Sequence, residues 1–288
     1  MIKSYKDFLL EASTDELGQK FDVFTNRLKN LTGIDLAPKK PEENSDDEDD
    51  YVNNTGKVKS NFSGTKKELV DLVIKYLNKH NITNPQIQKA ILSTIGKESG
   101  FEKFKETSYR GTSPARIREV FGSRFSGMSD AEINKLKQND AAFWEKVYGG
   151  EWGRKNLGNT KPGDGAKYIG RGFNQFTGKS NYVAYNDALR KVGTNVDIVS
   201  NPDLLNTNKD VAAEVNALYF LDGLKDPKTK AKYGNSNQND FQDFTTALKA
   251  AVNVNAGIGK DITRGFTKQS YDAAVAASNQ FDIDTRTA

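Results

Sequence analysis

The sequence predicts a mainly α-helical protein. Apolar residues recur at spacings of three and four in several windows, the signature of a helix with one buried face. Helix-start signals punctuate those windows at Thr65–Glu68, Asn84-Pro85 and Asn201-Pro202. One long stretch, Gly149 to Gly178, is dense in glycine and polar residues and lacks any helical period. It reads as a constrained loop with room for short strands.

Taken in order, Met1 to Glu11 holds a lysine and the short apolar run Phe8-Leu9-Leu10. It lacks the longer apolar region and small-residue cleavage site of a secretory signal, so delivery to any cell wall is expected to depend on another agent. Asp15 to Leu31 carries Leu17, Phe21, Phe24, Leu28 and Leu31 on one helical face. Residues 42 to 50 hold seven acidic groups in nine positions, behind Pro38 and Pro41. Such a run cannot bury apolar surface and is expected to be a disordered linker. The expected division is therefore a leader or docking segment over 1–37, an acidic linker over 38–62 and one main domain over 63–288.

Within that domain Thr65-Lys-Lys-Glu68 has the form of a capping box, opening a helix that buries Leu69, Val73, Tyr76 and Leu77. Asn84-Pro85, cap and first helical position, opens the next, with Ile87, Ala90, Ile91 and Ile95 inside and Gly100 as the stop. Asn201-Pro202 starts another in the same way, leading towards Val211–Leu221. Further helices are expected from about Phe241 to Val252 and from about Tyr271 to Ser278. No stretch approaches the roughly 18 consecutive apolar residues of a membrane span.

Composition narrows the chemistry. The chain has no cysteine and one histidine, His80. Thiol nucleophiles, disulfides and zinc sites built on cysteine or several histidines are excluded. Ser-His-Asp chemistry would rest on His80 alone, which sits in Lys-His-Asn at a helix end and reads as a solvated side chain. Carboxylate chemistry remains. Removing the seven negative charges of the acidic run from a net charge of +4 leaves +11 on the rest of the chain, which suits an anionic partner. Charge is the only feature that would suit a nucleic acid, and no nucleic-acid-binding motif accompanies it.

Glycosidic hydrolysis needs an acid to protonate the leaving oxygen and a second carboxylate to act on water or sugar. Glu98 lies on the last turn of a helix, before Ser99-Gly100-Phe101, where the helix C-terminus disfavours negative charge. Glu106 is eight residues on. A continuous helix would separate the two by roughly 12 Å along its axis at about 1.5 Å per residue. Gly100 offers a break after which the chain could fold back. As a spacing this is permissive only.

The loop adds a longer pattern. Gly158-Asn-Thr-Lys-Pro-Gly-Asp-Gly165, then Tyr168-Ile-Gly-Arg-Gly-Phe-Asn-Gln-Phe-Thr-Gly178 and Asn181-Tyr182, resembles the signature of family 19 glycoside hydrolases, the chitinases and their phage and bacterial endolysin relatives. The resemblance runs from about residue 66 to 278. It includes Lys97-Glu98-Ser99-Gly100-Phe101, where the family usually has His-Glu-Ser-Gly-Gly-Phe, and Asn201-Pro-Asp-Leu-Leu205. It implies a lysozyme-like, two-lobed helical domain with a Gly-rich cleft loop, no cofactor or metal, and hydrolysis with inversion. Position by position, Glu98 resembles the general acid, Glu106 the general base, and Thr177 the hydroxyl that helps hold the attacking water. Gln175, Asn181 and Tyr182 resemble residues that bind sugar amide and hydroxyl groups. Asn255 and Arg264 resemble a late element near the acid, and Tyr168 and Arg171 are structural or cleft-lining. Two departures stand out. Lys97 replaces the usual histidine and would favour the ionised form of Glu98. One glycine is missing after Gly100, which keeps Glu102 and Glu119 as alternatives to Glu106.

Residues 1 to 12, Met-Ile-Lys-Ser-Tyr-Lys-Asp-Phe-Leu-Leu-Glu-Ala, resemble the head-targeting leaders of large contractile-tailed phages, cut after a Leu/Ile-x-Glu pattern, here after Glu11. Together the two resemblances imply a lysozyme-type hydrolase of bacterial peptidoglycan. It would act on the wall in the periplasm from a phage virion or the infected host's cytoplasm, with residues 1–31 meeting capsid or tail proteins. A chitinase, or a wall-binding or phage structural protein that has lost turnover, are the alternatives.

Overall fold

The computed structural model describes residues 56–258 and 260–284. Among them are thirteen α-helices and one two-stranded antiparallel sheet, so the mainly helical expectation holds. The chain runs β1 (Lys57–Ser60), α1 (Gly64–Lys79), α2 (Pro85–Ser99), α3 (Pro114–Phe121), α4 (Asp130–Leu136), α5 (Asp140–Tyr148) and α6 (Gly150–Leu157). There follow α7 (Asp164–Lys167), α8 (Lys179–Lys191), α9 (Leu204–Thr207), α10 (Lys209–Lys225), α11 (Pro227–Tyr233), α12 (Phe244–Ala256), α13 (Gly265–Ser278) and β2 (Phe281–Asp284). The leader, the Asp15–Leu31 helix and the acidic run lie outside the described residues. None of the described helices is long and apolar enough to cross a membrane.

The described chain forms two compact units. The first takes in Glu98–Phe220 and Asn255–Gly257; the second takes in 56–97, Leu221–Val254 and the chain after residue 257. Helices α2, α10 and α12 each contribute to both.

In the second unit β1 and β2 pair antiparallel, Lys57 opposite Asp284 and Ser60 opposite Phe281. Lys59 adds an ion pair to Asp284. This strand lies inside the stretch 38–62 that composition assigns to a linker, and its pairing corrects the end of that assignment. Helix α1 buries Leu69, Val73, Tyr76 and Leu77 as their spacing predicts, and Val70 with them. Its capping box does not form: the helix starts at Gly64, Ser63 holds the cap position without a side-chain bond, and Thr65 falls within the first turn. At α2 the expected cap is present. Asn84 Oδ1 accepts from the Gln86 amide at 2.8 Å, and its Nδ2 donates to the Asn239 and Phe241 carbonyls at 2.7 and 2.8 Å. One side chain thus starts α2 and ties it to the approach to α12. Ile87, Ala90, Ile91 and Ile95 are buried as predicted, but so are Leu92, Ser93 and Thr94 between them. The two hydroxyls are accommodated by donating to the Lys89 and Ala90 carbonyls.

The first unit packs α3–α6 around an aromatic cluster. Phe121, Phe125, Phe143, Trp144 and Tyr148 are buried with Ile117, Ile133, Val147, Leu157 and Ile169, and Tyr109 packs against them. Tyr109 stacks on Phe143 at 5.1 Å between centroids, and Trp144 stacks on Tyr148 at 5.5 Å. Such ring pairs add about 0.5–1.5 kcal/mol each beyond the area they bury.

Two expectations are corrected here. Gly150–Leu157 is helical, although its four flanking and internal glycines hide the period. Asn201-Pro202 opens only a turn and the short α9; the long α10 is capped by Asn208, whose Oδ1 accepts from the Val211 amide at 3.2 Å. Asn208 is extended, so the chain leaves one helix before entering the next. Near the end, α12 and α13 lie where periodicity puts helices, with α12 displaced three residues onward and α13 begun six residues earlier.

The cap at Asn84 predicts a measurable loss. Asn84→Ala removes an N-cap and strands two buried carbonyls, which together should lower stability by about 2–4 kcal/mol in chemical denaturation. Asn84→Asp keeps the acceptor and loses the two donated bonds, and should fall between the two.

Candidate active site

The site grows from the end of α2. The helix stops at Ser99, and Gly100 and Phe101 both take left-handed backbone, φ 59° and 57°. This is the predicted break, and Phe101 occupies a conformation that ordinarily favours glycine, at a strain of about 1–2 kcal/mol. Its ring anchors it, fully buried and edge-on to Phe173, which also meets Phe104 at 4.9 Å. The chain then runs extended alongside the glycine-rich loop. The Glu106 amide donates to the Gly170 carbonyl at 3.0 Å, and the Gly172 amide to the Phe104 carbonyl at 2.9 Å. Bridges Lys105–Arg171 and Arg171–Phe176 complete this short antiparallel patch.

That pairing delivers Glu106 to its partners. Oε1 accepts from the Tyr148 hydroxyl at 2.5 Å and Oε2 from the Gly170 amide at 2.7 Å. The residue is half-buried while its carboxyl end is enclosed, and desolvation pushes its pKa from 4.5 up to about 7. The bonds from Tyr148 and Gly170 and the charge of Arg171 work the other way. Space at Gly170 is tight: a Cβ would lie 3.1 Å from Gln175 Oε1 and 3.2 Å from Glu106 Cγ, so either side chain would have to shift. Gln175 therefore sits beside the carboxylate. Its backbone is left-handed, φ 52°, and its Nε2 donates to the Lys103 and Gly172 carbonyls at 3.0 and 3.1 Å.

Of the alternatives to Glu106, Glu102 is exposed and Glu119 pairs with Arg116 at 2.5 Å. Neither is enclosed as Glu106 is.

Glu98, half-buried on the last turn of α2, accepts from Asn255 Nδ2 at 2.8 Å, and Asn255 is buried. The two are brought together as the sequence pattern implies. Arg264 lies in the second unit at the start of α13, its side chain 86% exposed and 3.4 Å from Asp261. Burial pushes the Lys97 ammonium down to about 7, so the positive charge expected beside Glu98 is only partly present at neutral pH.

The remaining pattern residues form the frame behind the loop. Arg171 is buried, its Nε donating to Asp203 at 2.8 Å and its Nη1 to the Lys167 and Ile169 carbonyls. Asp203 is shared with Lys105 at 3.2 Å; burial would raise it, but these two cations hold it below its ordinary range. Tyr182 is buried, its hydroxyl donating to the Ile169 carbonyl, and desolvation pushes its pKa up. Tyr168 is buried against Tyr182 and donates to the Val199 carbonyl at 3.1 Å. Asn181 Nδ2 donates to the Thr177 carbonyl, and the Thr177 hydroxyl to the Gln175 carbonyl at 2.9 Å. Thr177 and Asn181 also line a cavity of about 150 Å³ with Arg154, Asn156, Gly158 and Ser180.

The sequence pattern assigns no role to Tyr148, Asp203 or Asn159, although all three hold the site together. Asn159 Nδ2 donates to the Tyr148 carbonyl and its Oδ1 accepts from the Lys179 amide, both at 2.9 Å. The signal for Tyr148 was a tyrosine closing an apolar helical stretch directly before two glycines.

Glu106 thus presents an enclosed carboxylate held by two donors, and Glu98 a second carboxylate held by an amide. No family model matches the chain. A glycosyl hydrolase family 19 domain-containing protein of Haemophilus influenzae (strain ATCC 51907 / DSM 11121 / KW20 / Rd) is 31% identical over 147 residues, spanning 50% of this chain and 68% of that relative. The chain belongs to the glycosyl hydrolase family 19 domain proteins, and its class is that of a glycoside hydrolase.

Glu106 yields a stability prediction. A carboxyl whose folded pKa is raised binds more protons folded than unfolded between about 4.5 and 7, so its ionisation costs stability as pH rises through that window. Glu106→Gln removes the penalty. The variant should melt about 7–14 °C above wild type at pH 8, with the difference vanishing below pH 4. An unchanged difference across that range would contradict the enclosure.

Proposed function

We propose that the chain hydrolyses the β-1,4 glycan backbone of bacterial peptidoglycan, as a lysozyme-type muramidase working by single displacement. The carrying observation is the Glu106 carboxylate, enclosed and held on both oxygens by Tyr148 and Gly170. Glu106 takes a proton from water as that water attacks the anomeric carbon. Glu98, held by Asn255, protonates the departing glycosidic oxygen. Thr177 has committed its own proton to the Gln175 carbonyl, so towards the same water it acts as an acceptor. A water donating one hydrogen to Glu106 and the other to Thr177 keeps a lone pair for the sugar. Gln175, beside Glu106, has both amide hydrogens committed to backbone carbonyls, so it offers its side-chain oxygen as acceptor to the N–H of the N-acetyl group. Among β-1,4-linked N-acetyl sugar polymers, peptidoglycan is favoured over chitin by the +11 carried outside the acidic run, which suits an anionic wall. The phage-like leader supports a place of action too: a virion or an infected cell as the source, with capsid or tail proteins contacting residues 1–31.

Purified peptidoglycan incubated with the protein, borohydride-reduced and analysed by mass spectrometry, tests the bond. Disaccharide-peptides ending in reduced muramic acid are expected. Reduced glucosamine ends would move the cut to the other bond, cleavage of chitin alone would make the protein a chitinase, and no soluble fragments at any pH would make it a binder. Glu98→Gln should lower product release by about 10²–10⁴-fold. The two roles separate chemically: azide should restore turnover to Glu106→Ala with an inverted glycosyl azide as product, and should do nothing of the kind for Glu98→Ala.

A further inference from the structure

The reading of Glu106 as a base leaves open what keeps a desolvated carboxylate charged and aimed. Glutamate has three rotatable side-chain bonds, and burial alone would leave this one protonated at neutral pH. We propose that Tyr148 is a positioning residue that locks Glu106 in its ionised, base-competent rotamer, through a hydroxyl bond to Oε1 that the rest of the unit is built to hold rigid. This rests on the assignment of Glu106 to proton abstraction.

The rigidity is visible in three independent contacts. The Tyr148 ring is fully buried and lies parallel to the Trp144 ring, 7° between planes. Its carbonyl accepts from Asn159 Nδ2 at 2.9 Å. Gly153 makes room for that carbonyl: a Cβ at 153 would lie 1.8 Å from it. A phenol fixed at ring and backbone has no freedom to follow a wandering carboxylate, so the carboxylate follows the phenol. Asn159 also accepts from the Lys179 amide, directly after Gly178 at the end of the loop that carries Gly170. One asparagine therefore keeps both donors to Glu106 in mutual register. With Tyr148 on Oε1 and the Gly170 amide on Oε2, the carboxylate plane is set, and each oxygen retains a lone pair for water.

The other charges around Glu106 do not duplicate this. Arg171, from the loop, lowers its pKa through space but spends its hydrogen bonds on Asp203 and on carbonyls. Lys105, on Glu106's own segment, pairs with Asp203. Tyr182, from α8, is raised mainly by burial, with the charge of Glu106 a lesser cause, and donates to Ile169. Among these groups only Tyr148 gives Glu106 a side-chain hydrogen bond.

Tyr148→Phe in the full chain tests the proposal, since it keeps the ring stack and removes one oxygen. Two readouts are compared with wild type: the Glu106 carboxyl titration by ¹³C NMR, and the release of reducing ends from purified peptidoglycan across pH. Losing a charge-assisted bond should raise the titration midpoint by about one unit. Turnover at pH 6 should then fall about tenfold while turnover at pH 9 matches wild type, with KM unchanged. A turnover ratio that is flat across pH, or an unmoved midpoint, overturns the proposal. A ratio that rises above one at alkaline pH overturns it differently, by making Glu106 the acid. Should the wild type release no reducing ends at all, the peptidoglycan reading fails, and the NMR midpoint alone decides whether Tyr148 governs Glu106. Should Tyr148→Phe not fold, 3-fluorotyrosine at position 148, a stronger donor, must move the midpoint down; no downward movement overturns the proposal.

Discussion

A carboxylate withdrawn from water must be given donors or give up its charge, and the first unit is organised around that requirement at Glu106. Desolvation there is large enough to bring the pKa near neutrality, so the group stays poised between its two states. The donors that oppose burial come from different parts of the sequence, the end of α5 and the glycine-rich loop. The extended pairing of residues 104–106 with 170–172 brings Glu106 and the loop's donor together. The aromatic cluster of α3–α6 fixes the Tyr148 side of this arrangement, and the buried Arg171–Asp203 pair fixes the loop side.

The loop shows how a segment with almost no regular structure is held in place. Its turns and bridges are closed by backbone bonds, and side chains add to that hold. Arg171 reaches three carbonyl or carboxylate partners, Tyr182 and Tyr168 each reach a carbonyl, and Asn181 reaches back to Thr177. Several residues of the glycoside hydrolase pattern are thus buried and committed to the protein. They support the segment that carries Gly170 and Gln175 beside Glu106, and removing one would loosen it.

What could be read from the sequence follows the range of the forces involved. Helix positions and buried faces are local, so α1, α2, α12 and α13 were legible from spacing, and the Asn84 cap from a single dipeptide. The capping box at Thr65 failed because the helix begins two residues earlier, with Ser63 at the cap, and Thr65 becomes interior. Helix α6 was hidden because glycine density suggests loop, whereas Gly153 is there for close approach. Glu98 and Asn255 came from an ordered pattern, as did Glu106. Tyr148 and Asn159 did not, because their work depends on meeting residues 42 and 20 positions away in sequence, and nothing local announces such a meeting. Arg264 came from the same ordered pattern, and in the second unit it is exposed against Asp261.

The small sheet has a mechanical meaning. Because Lys57 stands opposite Asp284, the two ends of the described body leave from the same end of an antiparallel pair. Tension applied through the flanking chain would load these rungs one after another instead of all together, the geometry of a zipper. A molecule tethered at both sides would therefore yield first at β1 and β2, well before force reached the segments that carry the carboxylates.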